Sequence, residues 1–188
     1  MGQYFRPVNL DKKEFLVSHD YKSGSKLMEH SWMKNKLVRA VESLLTKNGN
    51  WYKNKIVWAG DYMDYGLFLE DENADENLFE RTRKDFKKIN PLRISSTNNT
   101  RYLVNHTKKQ YVDKKKVQDI NGWQIHPLPI LTSSGNGNGG GDYRPNNEEE
   151  QSYVGSWAGD VISVERSIPE CYQEIIPNFT DMRFRLPI

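Results

Sequence analysis

A four-residue motif that ends in a carboxylate, Trp-Ala-Gly-Asp, occurs twice in the chain. Trp58 is followed by Ala, Gly and Asp61, and Trp157 is followed by the same residues ending at Asp160. If the fold brings the two turns together, two carboxylates and two indoles surround one site, which suits acid–base chemistry or the binding of a polar ring. The alternative is structural: a buried Trp beside a turn that glycine permits, with the Asp bonding its own backbone. The sequence leaves both interpretations open.

A glycine-rich stretch at residues 135–141 is the second feature that could bind a ligand. It satisfies the G-x-G-x-x-G spacing, and Asp160 follows about 20 residues later. No helical periodicity follows the glycines and no P-loop lysine is present, so a dinucleotide-binding motif is rejected. Two interpretations remain: the N–H groups form a nest for an anion, or the stretch is a flexible connection. Asp142, Tyr143 and Arg144 directly follow and are candidate ligand-binding residues.

His30 is the histidine with the most suggestive position. It precedes the strongest predicted helix, where the positive end of the helix dipole favours a neutral ring. Together with Asp61, Asp142 and Asp160, it could form a metal site or an acid–base pair. No H-x-H or H-E-x-x-H spacing supports a metal site, so no metal ligand and no cofactor is assigned. A structural role is the alternative.

Composition limits the classes of function. The 188 residues include 27 Lys and Arg against 25 Asp and Glu, a net charge of +2. This balance argues against a nucleic-acid partner, and the basic runs at 81–88 and 114–116 are interpreted as solvated faces. The single cysteine, Cys171, excludes a disulfide framework within the chain. No run approaches the ~20 apolar residues of a membrane span and no secretory pattern is present, so we expect a soluble, cytoplasmic protein without a membrane partner.

Apolar periodicity predicts the helices and loops that must position these residues. Helices are predicted over 31–47 and 76–89, because apolar side chains recur there at helical spacing. The two prolines within 123–131 indicate an extended segment rather than a central strand. Residues 133–150, rich in Gly, Asn and Glu, are predicted to form a long loop.

Short β-rich runs predict the sheet. The runs on either side of residues 105–109 predict a β-hairpin. Further strands are predicted at 4–8, 55–59 and 161–164, with a last pair near 172–176 and 182–186. We therefore expect one α+β domain over 1–188, with a mostly antiparallel sheet and about two helices.

Three short sequence motifs in the chain resemble those of a protein family. Residues 29–32 read Glu-His-Ser-Trp, residues 58–62 read Trp-Ala-Gly-Asp-Tyr, and residues 135–143 read Gly-Asn-Gly-Asn-Gly-Gly-Gly-Asp-Tyr. In these motifs the chain resembles a family of bacteriophage and bacterial proteins to which no activity is assigned. The resemblance implies a bacterial or phage-infected host cytoplasm, and it favours a binding function over the alternatives.

These features favour a binding protein for a small, polar, nucleotide-like ligand, which in a phage context would sequester a host signal. Aromatic rings would stack on the base, carboxylates would bind hydroxyl or amino groups, and an arginine with glycine N–H groups would bind phosphate. Two alternatives stay open: a metal- or carboxylate-dependent hydrolase in the same cleft, and an inhibitor that binds a host protein through its exposed aromatics and long loop. The candidate ligand-binding residues are His30, Trp32, Trp58, Asp61, Asp142, Tyr143, Arg144, Trp157 and Asp160.

Overall fold

The computed structural model describes residues 1–91 and 100–184. In that part of the chain, nine strands form a sheet. They are β1 (Phe5–Asn9), β2 (Glu14–Phe15), β3 (Asn54–Gly60), β4 (Lys87–Lys88), β5 (Tyr102–Asn105), β6 (Gln110–Asp113), β7 (Ser133–Ser134), β8 (Asp160–Glu165) and β9 (Gln173–Glu174). Their spatial order is β4-β2-β1-β3-β8-β5-β6-β9, and β7 pairs with β3 outside this path.

Five α-helices accompany the sheet in the described residues. They are α1 (Leu27–His30), α2 (Lys36–Leu45), α3 (Leu78–Asp85), α4 (Pro127–Leu131) and α5 (Glu148–Tyr153). The α+β class is as expected, whereas the expectation of about two helices is not met. Only α2 and α3 are long enough to show helical periodicity, and the three others have four to six residues, too few for a pattern to repeat.

The sheet is mixed, so the expectation of a mostly antiparallel sheet needs correction. The long strands do pair antiparallel: β1 with β3, β3 with β8, β8 with β5 and β5 with β6. Three parallel pairings are added by β4, β7 and β9, which have two residues each. A two-residue strand leaves no alternation in the sequence, because its pairing is decided by the tertiary position of a loop.

The two faces of the sheet are covered differently. Alternate residues of β3 point to opposite faces, as a strand requires, so Trp58 lies in the larger apolar cluster and Val57 in the smaller one. The larger cluster contains the apolar side of α2, and the smaller one contains Leu78 and Phe79 of α3.

Both long helices are shorter than predicted, because caps set their starts and because residues 87–88, predicted to be helical, form β4 beside β2. The side chain of Asn35 accepts a hydrogen bond from the N–H of Leu37 (2.9 Å) and starts α2 there. Ser31, predicted to start this helix, instead donates its hydroxyl to the carbonyl of Leu27 (2.6 Å). In α3, Asn77 accepts from the N–H of Glu80 (3.0 Å) and starts the helix at Leu78. Asn and Ser are both strong caps, so the sequence alone could not choose between them.

The prediction of an extended segment over 123–131 is wrong for its second half, which forms α4. Pro127 occupies the first helical position, where its fixed φ is favourable and its missing N–H costs nothing. His126 caps the helix, since its Nδ1 accepts from the N–H of Leu128 (3.2 Å). The predicted 133–150 loop begins with β7 and ends inside α5, and the hairpin around 105–109 is confirmed by the β5–β6 register. Of the last predicted pair, β9 is present, residues 182–184 form a 3₁₀ turn, and the rest lies outside the described residues.

Candidate functional site

The two copies of Trp-Ala-Gly-Asp, of which the first lies in β3 and only the second forms a turn, meet at their tryptophans and diverge at their carboxylates. The N–H of Trp58 donates to the carbonyl of Thr132 (2.8 Å), and the N–H of Trp157 donates to the carbonyl of Leu131 (2.7 Å). Asp160 pairs with Ile56 of β3, so Asp61 lies five residues further along the chain, about 17 Å away at about 3.4 Å per residue. The repeated motif is therefore the end of β3 in its first copy and a turn that leads into β8 in its second, and both copies bond to the segment before β7.

Neither of the two indoles, Trp58 and Trp157, offers a face to a ligand. Trp58 and Trp157 are fully buried, and the Nε1 of Trp157 donates to the side-chain oxygen of Gln110 (3.0 Å). The carboxylate of Asp160 is equally engaged, because its Oδ2 accepts from Asn105 (2.7 Å) and from Lys108 (2.5 Å). This turn fastens β8 to the hairpin.

The glycine-rich loop binds its own carboxylate. Oδ2 of Asp142 accepts from the N–H of Gly137 (2.8 Å) and of Gly139 (3.0 Å), so the N–H groups expected to bind phosphate are already taken. Burial raises the pKa of the Asp142 carboxyl and nearby Asp61 adds to the rise, against the lowering effect of these N–H groups. The loop is also fastened to the N-terminus, where the N–H of Gln3 donates to the carbonyl of Gly140 (3.1 Å).

The three remaining aromatic and basic candidates make separate contacts and do not converge on one site. Tyr143 is buried, and its hydroxyl donates to Glu150. Arg144 is exposed and its N–H donates to Asp181 (3.2 Å). Trp32 is half-buried at another place on the surface, with its ring edge against Trp123 at a centroid distance of 5.5 Å.

His30 is a buried link between the core and a surface segment. Its Nε2 accepts from the Nε1–H of Trp58 (2.8 Å), so the proton of the neutral ring is on Nδ1, which donates to the carbonyl of Gly24 (2.9 Å). Burial lowers the pKa of His30 to about 4, against small opposing effects of the Gly24 carbonyl and Glu29. The ring is therefore neutral at pH 7 and holds Gly24 in place.

A cavity of about 580 Å³ opens beside Gly24. It exists because β2 pairs only with Val8 and Asn9, which leaves the first half of β1 beside the 24–26 segment, where the N–H of Phe5 donates to the carbonyl of Ser25 (2.8 Å). We name it the basic pocket; the polar and charged side chains that line it and matter below are Tyr4, Arg6, His19, Lys26, Glu29 and Arg83.

Arg6 is the unusual group of the basic pocket. Its side chain is only 9% exposed, and its Cζ lies 3.7 Å from the ring centroid of Phe79 and 5.0 Å from that of Phe15. Its guanidinium donates to the hydroxyl of Thr82 (3.0 Å), but within residues 1–91 and 100–184 it forms no ion pair with a carboxylate. Burial and then the charge of Arg83 lower the pKa of Arg6 to about 10, and the more distant Asp61 opposes this.

Further positive charge surrounds Arg6. Cζ of Arg83 lies 5.4 Å from the same Phe79 ring, so two guanidinium groups contact one aromatic side chain. The stem of Lys26 crosses Gly141, where a Cβ would come within 2.4 Å of its Cδ. Glu29 lies in the basic pocket as well, but its Oε2 accepts from the backbone N–H of Lys26 (3.1 Å). Like charges held this close repel one another, and an anion bound between them would relieve the repulsion.

Asp61 supports the rim of the basic pocket. Its Oδ1 accepts from the N–H of Tyr4 (2.9 Å), and its own N–H donates to the carbonyl of Tyr4 (3.0 Å). The backbone of Tyr4 is thereby held at the mouth, and the residue is 49% exposed. Of the nine candidate residues, His30 and Asp61 thus lie directly behind this cavity, each holding a segment that lines it.

The groups that line the basic pocket were missed by sequence reasoning. Two signals were available. Arg6 interrupts an apolar strand, and Phe79 and Arg83 are separated by four residues, which places them on one face of a helix. A charged residue within a buried strand is rare unless it is paired or functional.

Comparison with known proteins adds no family to this description. No family model, no curated protein and no solved structure gave a significant match to the chain. Within the described ranges, no group of three His, Cys, Asp or Glu side chains is arranged to hold a metal ion. In the same ranges, no helix has the length and apolar character needed to cross a membrane.

Proposed function

We propose that this protein binds a small phosphate-bearing, nucleotide-like ligand in the basic pocket. The observation that carries the proposal is Arg6, a buried guanidinium held against aromatic rings without a carboxylate partner among the described residues. A buried cation is costly unless it is paired. A phosphate group, whose oxygens match the fork of a guanidinium, would supply the missing partner.

The surroundings of Arg6 support this chemistry. Arg83 and Lys26 add positive charge for a second phosphate oxygen, and the exposed ring of Tyr4 at the mouth provides a face on which a base could stack. Glu29 gives the basic pocket an acceptor for hydroxyl or amino groups. A volume of about 580 Å³ lies in the range of small-molecule sites, roughly 300–1,000 Å³.

A binding role is preferred to the hydrolase alternative because the expected acid–base groups are occupied elsewhere. Asp142 binds its own loop, Asp160 binds Lys108, and Asp61 binds the backbone of Tyr4. In a bacterial or phage-infected cytoplasm, a protein with this pocket would sequester a nucleotide signal of the host without converting it. The inhibitor alternative has no specific support.

Calorimetric titration at low salt tests the proposal. Nucleoside mono-, di- and triphosphates should give heat, whereas the unphosphorylated nucleosides should bind far more weakly. Arg83→Gln should weaken binding about 10-fold or more, since a hydrogen bond to a charged group contributes about 1.5–3 kcal/mol. The matched control is Arg166→Gln, which changes an exposed arginine elsewhere and should bind as the unmodified protein does.

Two results would contradict the proposal. One is the absence of heat for every phosphorylated compound. The other is an unchanged affinity in Arg83→Gln. Recovery of the nucleotide after prolonged incubation separates binding from turnover, because a hydrolase would return the cleaved product.

A further inference from the structure

A second surface, separate from the basic pocket, contains an exposed tryptophan. Trp123 is 62% exposed. It follows a tight turn in which Ile120 and Trp123 exchange backbone hydrogen bonds (2.7 and 3.0 Å) and in which Asn121 and Gly122 both have positive φ, 53° and 85°. This is the geometry of a type I′ turn, which pairs the two residues that flank it. The turn therefore sets the backbone from which the exposed indole projects.

One edge of this indole is supported by the protein. Trp32 contacts Trp123 at a centroid distance of 5.5 Å and an interplanar angle of 65°. Beside the pair lies a cavity of about 340 Å³, lined by both indoles together with Met33, Lys34 and Gln124 among others. A large aromatic ring beside an open cavity is a platform for another flat ring.

The cavity continues into a cationic one. A neighbouring cavity of about 440 Å³ shares Met33 and Lys34 with the first and is also lined by Arg39 and Lys115. These three cations form no ion pair with a carboxylate in residues 1–91 and 100–184. We call the two joined cavities the Trp123 groove.

Two carboxylates line the Trp123 groove, Glu42 and Asp119, and they offset only part of the charge of its five lining cations. Glu42 is buried, and it is held by Lys114 and by His126, whose Nε2 lies 3.0 Å from its Oε1. Asp119 accepts from the N–H of Gly122 (2.7 Å) and thereby stabilises the turn. The net charge of +2 describes the whole chain, and it is compatible with a local concentration of positive charge.

We propose that the Trp123 groove binds a short single-stranded segment of nucleic acid. One base stacks on Trp123, and the adjoining phosphates contact Lys34, Arg39 and Lys115. Single-strand sites combine these two elements, an aromatic platform and a line of cations along the backbone. A duplex fits less well because its bases are already stacked on one another, and an acidic peptide has no flat ring for the indole. This site is independent of the ligand of the basic pocket.

Fluorescence anisotropy of a labelled oligothymidylate of about eight nucleotides tests the proposal. Trp123→Ala should weaken binding roughly 5- to 100-fold, the range found when a stacking ring is removed. Arg39→Gln should weaken binding and reduce the steepness of its salt dependence, from a slope of about −2 for three phosphate contacts to about −1.4 for two. Thermal melting confirms that each variant is folded.

Matched controls come from the same chain. Tyr65→Ala removes an aromatic side chain that is also 62% exposed, and Arg166→Gln removes an exposed arginine elsewhere; both should bind normally. Absence of binding to the oligothymidylate, or normal binding by Trp123→Ala, would overturn the proposal. Equal competition by duplex DNA or by polyglutamate would overturn it too, because the surface would then recognise charge alone.

Discussion

Replacing Arg6 by methionine separates a functional arginine from a structural one. Methionine keeps most of the volume between the rings of Phe79 and Phe15 and removes the charge. A pKa lowered to about 10 means that holding the cation in the folded protein costs about 3 kcal/mol. Because the folded-state pKa is the depressed one, this cost is present at every pH below about 10, and an assay at pH 7 reports it in full.

The contacts that the substitution removes have a similar magnitude. Loss of the cation–π contacts, with Phe79 at 3.7 Å and Phe15 at 5.0 Å, costs about 2 kcal/mol for a desolvated cation. Loss of the hydrogen bond to Thr82 costs about 1 kcal/mol. Since these losses offset the removed desolvation cost, Arg6→Met should leave the free energy of unfolding within about 1 kcal/mol of its original value, while nucleotide affinity falls about 10-fold or more.

Urea unfolding and calorimetry on the same samples check both halves of this prediction. Arg101→Met is the contrasting variant, because Arg101 pairs with the buried carboxylate of Asp113. It should lower stability by about 2 kcal/mol and leave binding in the basic pocket unchanged. A loss of more than about 3 kcal/mol in Arg6→Met would refute the reasoning, since Arg6 would then be held for its internal contacts.

Three further predictions concern the surroundings of the sites. Acidification from pH 7 to 4.5 should destabilise the protein about 2.5 kcal/mol more than it destabilises His30→Gln, because the buried ring with a pKa of about 4 resists a proton that the unfolded chain binds near pH 6.5; urea unfolding at both pH values measures this, and equal pH dependence would refute it. Glu42→Gln should lower the free energy of unfolding by about 3 kcal/mol in the same assay, because Lys114 and His126 would stay buried without the carboxylate. An unchanged free energy of unfolding would show that the contacts of Glu42 with these two residues are not needed for stability. Gly141→Ala should weaken nucleotide binding, because its Cβ would displace the lysine stem in the basic pocket, whereas Gly122→Ala, at the same φ of 85° but with open space around it, should bind normally; equal affinities would contradict this.

The sequence predicted those elements whose side chains repeat. The hairpin around 105–109 and the apolar side of α2 follow directly from periodicity, and both are confirmed. The exact ends of α2 and α3 depended on which of several caps was used, a choice made by tertiary contacts. The two-residue strands and the short α4 were beyond prediction, because loops fastened to distant elements determine them.

For the candidate site, prediction from the sequence failed for a different reason. A repeated word with Trp and Asp indicated chemistry, yet its tryptophans are buried against Leu131 and Thr132 and its carboxylates diverge. The basic pocket combines β1, the 24–26 segment and α3. Residues far apart in sequence meet there, and only two local signals pointed to it, the charge of Arg6 within β1 and the spacing of Phe79 and Arg83 on one face of α3.

The location of nucleotide binding is the most direct test of the central claim. Backbone chemical shifts of isotope-labelled protein, followed during titration with a nucleoside diphosphate, report every residue at once. The account predicts saturable shifts that cluster at Tyr4, Arg6, the 24–26 segment and Arg83 and that need a nucleotide concentration about 10-fold or more higher in Arg6→Met. Shifts confined to the glycine-rich loop or to the Trp123 groove, or no shifts at all, would contradict it.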